Sequence, residues 1–548
     1  MIIMNRLIKK ILTIGAVIII SLSILSSCTN LKDESFNTII ASQFKAGDQD
    51  LAALAGAAYV NWRILLLQWN GVYRANETSG DELLTPARPN GWVDGGVYRR
   101  LHEHKWTTAD DVAVNTWSRT YAGITNCNRI IYQIEQNLIP VNENDKTALI
   151  SEMKVLRASY YWVLCDFFGN VPIVDKFDVP AGYLPTQNTR KEVYDFIVKE
   201  ITDNIGNLSD LHNTKTYGKF NKWAAYALLA KVYLNAGVYS GTAAWDKCIQ
   251  ACDAIINSNA GYGLEDNQKN VFVTNNENSK EIIFALPFDS KYVSGWNDFD
   301  IHMQTLQPEN QATYNLEYSP WGGVCAVPQF IDTFDPEDAR LKDNYIQGQQ
   351  YSSKGDILIC TLGAMTGKPL IYTNTVPGVD QSEETDGFRL GKFEIAMGAT
   401  NRLSNDFPLF RYADILMMKA ECLLRTGHAD DAAVLVSQVR ARDFKSNPSK
   451  AIVTGNDLLK GSSYDYGLRN HITSTEEGGI DIQYGRFLDE LGWEFCQEAR
   501  RRTDMVRFGM FTKKSWLSHS PNGDYRALFP IPVGEIQKNS NLKQNPGY

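Results

Sequence analysis

The chain has 548 residues, 44% of them apolar, which is enough for one large or two ordinary domains with a substantial core. A formal net charge of −9 argues against nucleic acid as the main partner, since phosphate contacts need a basic face. The nine cysteines contain no C-x-x-C pair, and their spacing suggests no disulfide framework.

In chain order, Arg6, Lys9 and Lys10 precede an apolar run from Ile11 to Leu25. The run is broken by Ser21 and Ser23 and is shorter than the ~20 residues needed to cross a bilayer, so it reads as the core of an export leader. It ends in Leu25-Ser26-Ser27-Cys28, which resembles the bacterial lipobox: two small residues fit a signal peptidase, and the following thiol accepts diacylglycerol. Residues 1–27 are therefore expected to be removed, leaving 28–45 as a lipidated tether on Cys28. Lys32-Asp33-Glu34 is similar to the short signal that carries some bacterial lipoproteins to the outer face of the outer membrane. No later segment is apolar for long enough to span a membrane.

Residues 46–260 read as mainly helical. Apolar residues at helical spacing predict helices over Asp50 to Leu67, Asn115 to Asn137, Thr147 to Phe168, Arg190 to Leu208, Asn221 to Ala236 and Ala243 to Asn257. Gly169 and Pro172 end the third of these. Tyr226, Leu229, Ala230, Tyr233 and Gly237 have the spacing of a tetratricopeptide (TPR) first helix and its turn. Ala420, Leu423, Gly427, Ala432, Val436 and Val439 fit the same template across two helices, and generic helical hairpins would pack in nearly the same way. Residues 261–548 open with a change of character: Gly261 to Asn405 is rich in Gly, Asn, Tyr and Trp, with short apolar runs at Ile282 to Leu286 and Ile357 to Ile359 that suggest strands. The expected fold is mainly α, with a loop-rich region and few short strands. Cysteines at 127, 165, 248, 252, 422 and 496 sit in helix-like segments, where Cys usually acts as a small buried apolar residue.

Four segments in order carry a family resemblance. They are Leu156-Arg157-Ala158 with Phe167 to Val174; Phe407 to Glu421; Trp493-Glu494-Phe495 with Arg501 to Gly509; and Phe529-Pro530-Ile531-Pro532 with Gln544 to Tyr548. Together they resemble the SusD/RagB family of outer-membrane, nutrient-binding lipoproteins. Leu491 and Ala499 depart from it, standing where many members have Arg and Gly. Arg411, Asp414 and Glu421 are read as polar anchors on one helix that must be paired if buried. The resemblance implies a TPR-containing helical fold, a glycan ligand, no cofactor and no catalysis, and a SusC-like TonB-dependent transporter as partner.

Sugar recognition needs aromatic faces for the C–H face of the ring, with amides, carboxylates or guanidinium groups for the hydroxyls. Glu77 to Glu82 followed by Arg88, Asn90, Trp92 and Asp94 in a Gly-rich loop has that chemistry, although Trp92 is equally readable as pinning the loop to the core. Tyr292 with Trp296, and Tyr314 and Tyr318 with Trp321, are the other aromatic candidates. A helical glycoside hydrolase is the rival from another class, needing two carboxylates at a defined separation, and no pair stands out. A peptide or glycopeptide ligand is the other alternative. His102 and His104 would share a strand face and lack a third metal ligand nearby, so no metal site is expected. Arg500-Arg501-Arg502 reads as a salt-bridged helix face.

Overall fold

The computed structural model describes residues 48–548 apart from 69, 90–91 and 294–297; the leader, Cys28 and the tether lie outside the described residues. The N-terminal half is built from helices α1 (Asp48–Leu66), α2 (Val72–Thr78), α3 (Val97–His102), α4 (Asp111–Glu135), α5 (Glu143–Phe167), α6 (Arg190–Asn204), α7 (Lys222–Leu234) and α8 (Trp245–Ile256). Six of them fall on the spans that apolar periodicity predicts. Helix α1 buries Ala55, Ala58, Trp62, Leu65 and Leu66 against α4 and α5. The Trp62 indole N–H donates to Ser159 Oγ at 2.7 Å, and its ring lies 5.6 Å from that of Tyr160. Helices α4 and α5 approach closely because position 123 is Gly: a Cβ there would fall 2.4 Å from the Tyr160 ring. A capping box starts α6, with Thr189 N–H donating to Glu192 and Glu192 N–H returning to Thr189 Oγ1.

Helix α7 is buried almost all round, so it has no solvent face for charge. It packs on α8, and α8 packs on α9 (Tyr412–Arg425), which pairs with α10 (Ala429–Arg440). The turn between α9 and α10 uses Gly427 at φ +87°, the position expected. In the first hairpin the left-handed residue is Gly241 (φ +78°) rather than Gly237, which lies inside a short helical turn, Ala236–Ser240.

The strands are few and short. β1 (Leu83–Leu84) precedes β2 (Ile282–Leu286), β3 (Cys325–Ala326) and β4 (Phe407–Arg411). β1 pairs antiparallel with β3, and β2 antiparallel with β4, from Phe407 opposite Leu286 to Arg411 opposite Ile282. The run at 357–359 makes isolated bridges only, Tyr351 with Ile357 and Ile359 with Pro369. The long-range pair β1–β3 binds the loop-rich region to the helical half, β2–β4 ties its start to the strand that leads into α9, and residues 47–548 form one compact unit.

Buried ion pairs tie α11 (Gly485–Phe495) and α12 (Arg501–Arg507) into this core. Arg411 ends strand β4 and does not lie on α9 with Asp414; from there it reaches Glu281, Glu494 and Glu498, each at 2.7 Å. Asp414 pairs with Lys231 at 2.8 Å and Arg500 at 2.5 Å. Glu421 pairs with Arg507 at 2.7 Å and Arg425 at 2.8 Å. The arginine run is ion-paired as expected but faces inward: Arg501 holds Asp81 and Arg502 holds Asp166, each at 2.7 Å. Leu491 is buried in α11, while Ala499 lies in the turn between the two helices at φ +62°.

Candidate ligand-binding site

Two indoles from distant parts of the chain meet at the surface. Trp92 follows β1 in the loop that leads to α3, and Trp321 precedes β3, so the β1–β3 pairing brings them together. Their rings lie 6.0 Å apart at 42°, and both are half-buried. Trp92 also packs on Tyr98 of α3 at 5.3 Å. Gly323 makes room for it, because a Cβ there would fall 2.0 Å from the Trp92 ring. The Trp321 loop is pinned by its own backbone: Trp321 N–H donates to Met303 O at 2.7 Å and Gly323 N–H to Gln304 O at 2.9 Å.

Polar groups gather behind this aromatic surface. The Arg74 guanidinium lies 4.6 Å from the Tyr98 ring and 5.9 Å from the Trp92 ring, within cation–π range. Asp300 accepts from the Gln304 side chain, and burial pushes its carboxyl up to about 7, partly opposed by Arg74. Asp94 is raised by burial too, with the Tyr98 hydroxyl and Arg74 pulling it back. One terminal atom on each of the three charged groups has no hydrogen-bond partner: Arg74 Nη2, Asp94 Oδ2 and Asp300 Oδ2. These three atoms are closed to solvent behind the half-buried rings, so the indoles form the outer part of the site.

The match to known proteins is consistent along the chain. Residues 65–234 match the SusD-like model described as "Starch-binding associating with outer membrane", and residues 364–548 match the SusD family model. The starch-binding protein SusD of Bacteroides thetaiotaomicron is 25% identical over 533 residues, covering 87% of this chain and 86% of that protein. A SusD-like protein of Bacteroides ovatus is 24% identical over 397 residues, 70% of this chain and 68% of that one. The chain belongs to the SusD/RagB family. Among solved structures, a laminarin-binding SusD-like protein superposes with a TM-score of 0.68 at 20% identity, covering 92% of this chain and 100% of that one. Surface glycan-binding protein A of Bacteroides thetaiotaomicron, in complex with laminarihexaose, gives 0.67 at 18% identity, over 91% of this chain and 99% of that one.

Within this SusD/RagB chain the expected site residues separate. Trp92, Asp94 and Trp321 come together. Trp92 lies in the first matched region, whereas Trp321 lies in the interval 235–363 that neither family model covers. Arg88 is buried with its guanidinium committed to the protein: it donates to Gly323 O at 3.2 Å, Ser382 Oγ at 3.2 Å, Glu383 O and Asp386 O at 2.8 Å. Burial pushes it down to about 10, with Arg389 adding to the effect. It therefore anchors the Trp92 loop from below. Tyr292 is 74% exposed, with the Lys291 ammonium 5.1 Å from its ring, on the segment that leads to Asp300. Asn90 and Trp296 lie outside the described residues. Tyr318 is exposed and Tyr314 half-buried.

Glu77 to Glu82 does not share this surface. Glu77, Thr78, Ser79, Asp81 and Glu82 are interior, with Asp81 held by Arg501 and by the Tyr466 hydroxyl at 2.6 Å. His102 and His104 are not on a strand: His102 ends α3, and His104 follows at φ +51°. Both are buried, bonded to Leu517 O at 2.5 Å and Ser79 O at 2.8 Å, and burial pushes His104 down to about 3. Among the described residues no group of three or more His, Cys, Asp or Glu is placed to hold a metal ion. Nor, among them, is any helix long and apolar enough to cross a membrane.

Proposed function

We propose that this chain binds a glycan across Trp92 and Trp321, without turning it over, and delivers it to a SusC-like TonB-dependent transporter. In this reading it is held at the cell surface by lipid on Cys28. The observation that carries the binding reading is the indole pair at 6.0 Å. Flat faces accept the C–H surface of a sugar ring. The names of relatives that bind starch and laminarin support a glycan over a peptide. Asn90, Tyr292 and Trp296 remain proposed ligand contacts on chemical grounds alone.

Calorimetric titration of oligosaccharides and peptides tests this. The expected result is saturable glycan binding that weakens at least tenfold in Trp92→Ala and Trp321→Ala, with an unchanged ligand in the recovered mixture. Binding that ignores both substitutions removes the surface from the proposal. Shortened sugars in the mixture would establish the hydrolase instead. Co-purification of a TonB-dependent barrel with the tagged, membrane-extracted protein tests delivery.

A further inference from the structure

Three thiols meet where the two helical hairpins pack. Cys248 and Cys252 belong to α8 and Cys422 to α9, and all three are fully buried. Two separate contacts fix how these helices face each other. The Lys419 ammonium lies 2.6 Å from the Asp253 carboxylate, and the Arg425 guanidinium lies 5.2 Å from the Trp245 ring. Residue numbers rise along one helix as they fall along the other, so the pair is antiparallel. With 419 opposite 253 and 425 opposite 245, position 422 falls opposite the turn that holds Cys248. Cys248 and Cys422 therefore face each other across the helix pair, and the Cys248 thiol donates to Ala230 O at 3.3 Å.

We propose that Cys248 and Cys422 are a disulfide-forming pair that staples the first hairpin to the second. The proposal rests on the export of this chain through residues 1–27. The other pairings are excluded by geometry. Cys248 and Cys252 are four apart on one helix, which sets their Cβ atoms about 5–6 Å apart, beyond the roughly 3.5–4.5 Å that a disulfide spans. Cys252 faces the turn around Lys419, a helical turn away from Cys422. Once the hairpins close, burial holds the Cys248 thiol well above its ordinary range, and the neighbouring Cys248 together with burial does the same for Cys422, so neither is a nucleophile in the folded protein. Oxidation therefore occurs while the hairpins assemble. The oxidant is an extracytoplasmic dithiol oxidase in its disulfide form. The Cys248 thiolate attacks it to give a mixed disulfide, the Cys422 thiolate displaces that bond, and the oxidase leaves as the dithiol with the two protons and two electrons. The link closes a loop of about 170 residues, the length regime in which a cross-link restricts the unfolded chain most.

The test uses the full chain purified from its own membrane and denatured in alkylating reagent without reductant. Mass spectrometry then reads both the N-terminus and the labels. The expected result is a lipidated Cys28, six of the eight internal cysteines labelled, and a Cys248–Cys422 linked peptide that separates on reduction. Reduction should lower Tm by several degrees in the parent and leave Cys422→Ala unmoved. Eight labels on a chain that begins at lipidated Cys28, or a link between other cysteines, overturns the proposal. A chain that still carries its leader marks a failure of the export reading instead. The pair is then tested by refolding the reduced chain in a glutathione redox buffer, where absence of the Cys248–Cys422 link also overturns it.

Discussion

Glu77 and Glu82 are neighbouring acids in the interior, both closed to solvent, and each bears on the other's proton. Burial and the neighbouring acid raise Glu82 well above the carboxylate range, against the pull of Arg501. Burial carries Glu77 up to about 7, held back by the backbone N–H groups of Arg500 at 2.9 Å and Gln497 at 3.2 Å. Two such groups share a proton that the unfolded chain would release near 4.5.

Stability should therefore fall as pH rises from about 4.5 to 7, because the folded pair retains a proton that the unfolded state has lost. The slope is about 1.4 kcal/mol per pH unit per proton. Buried His102, His104 and His519 are all held below their ordinary range and act in the opposite sense, losing stability as pH falls below 6.5. They are common to the parent and to Glu82→Gln, so the difference between the two isolates the acid pair. The change in denaturant midpoint from pH 5 to pH 7 should differ between the two, with the parent faring worse than the variant on the rise to pH 7. Parallel curves would remove the shared proton.

Arg411 offers a larger effect. It neutralises three buried carboxylates, on Glu281, Glu494 and Glu498, and the first lies about 200 residues from the other two in the chain. Arg411→Met keeps the volume and leaves acids without their cation, which typically costs about 3–5 kcal/mol. Urea unfolding measures the loss. A shift below about 1 kcal/mol would mean that Arg442, which also holds Glu281 and Glu494, suffices alone.

Ala499 occupies a left-handed position, and its carbonyl accepts from Asn76 at 2.7 Å. The left-handed conformation costs an L-residue about 1–2 kcal/mol, while Gly loses about 0.5–1 kcal/mol more backbone entropy on folding. The first term is the larger, so Ala499→Gly should raise stability by up to about 1 kcal/mol. Thermal unfolding decides it, and a fall in Tm would show that the buried methyl matters more.

Most of the helices were legible in the sequence because they bury one periodic face, α7 being buried almost all round, and α6 carries its capping box in plain view at Thr189 and Glu192. Pairing was legible as a requirement, but not its partners: a buried Arg411 must find acids, yet nothing local points to Glu281. The Glu77 to Glu82 stretch looked like a polar loop, since its burial depends on Arg501 and Tyr466, over 380 residues away. His102 and His104 alternate as in a strand, but α3 ends between them. In the site, Trp92 and Trp321 were each visible as aromatics in loops, while their meeting depends on a two-residue strand pair that no pattern announces. Arg74 was missed because it sits in a seven-residue helix buried on every side, which shows no amphipathic face.

Gly323 connects scaffold and site most directly. Its Cα lies under the Trp92 indole, and a Cβ would come within 2.0 Å of two ring carbons and 3.2 Å of Gln304 O. The Gln304 carbonyl is fixed, since it accepts from both Gly323 at 2.9 Å and Val324 at 2.8 Å. The indole must therefore yield, and Arg88 resists movement of the loop behind it by donating to the Gly323 carbonyl. Gly323→Ala should tilt Trp92 away from Trp321 without removing any side chain of the surface. Glycan affinity should fall about tenfold, which is about 1.4 kcal/mol, and global stability by less than that. Trp fluorescence should shift in the unliganded variant because the two indoles no longer lie together. Normal affinity with a shifted spectrum would show that Trp92 pins the loop and does not bear on the ligand.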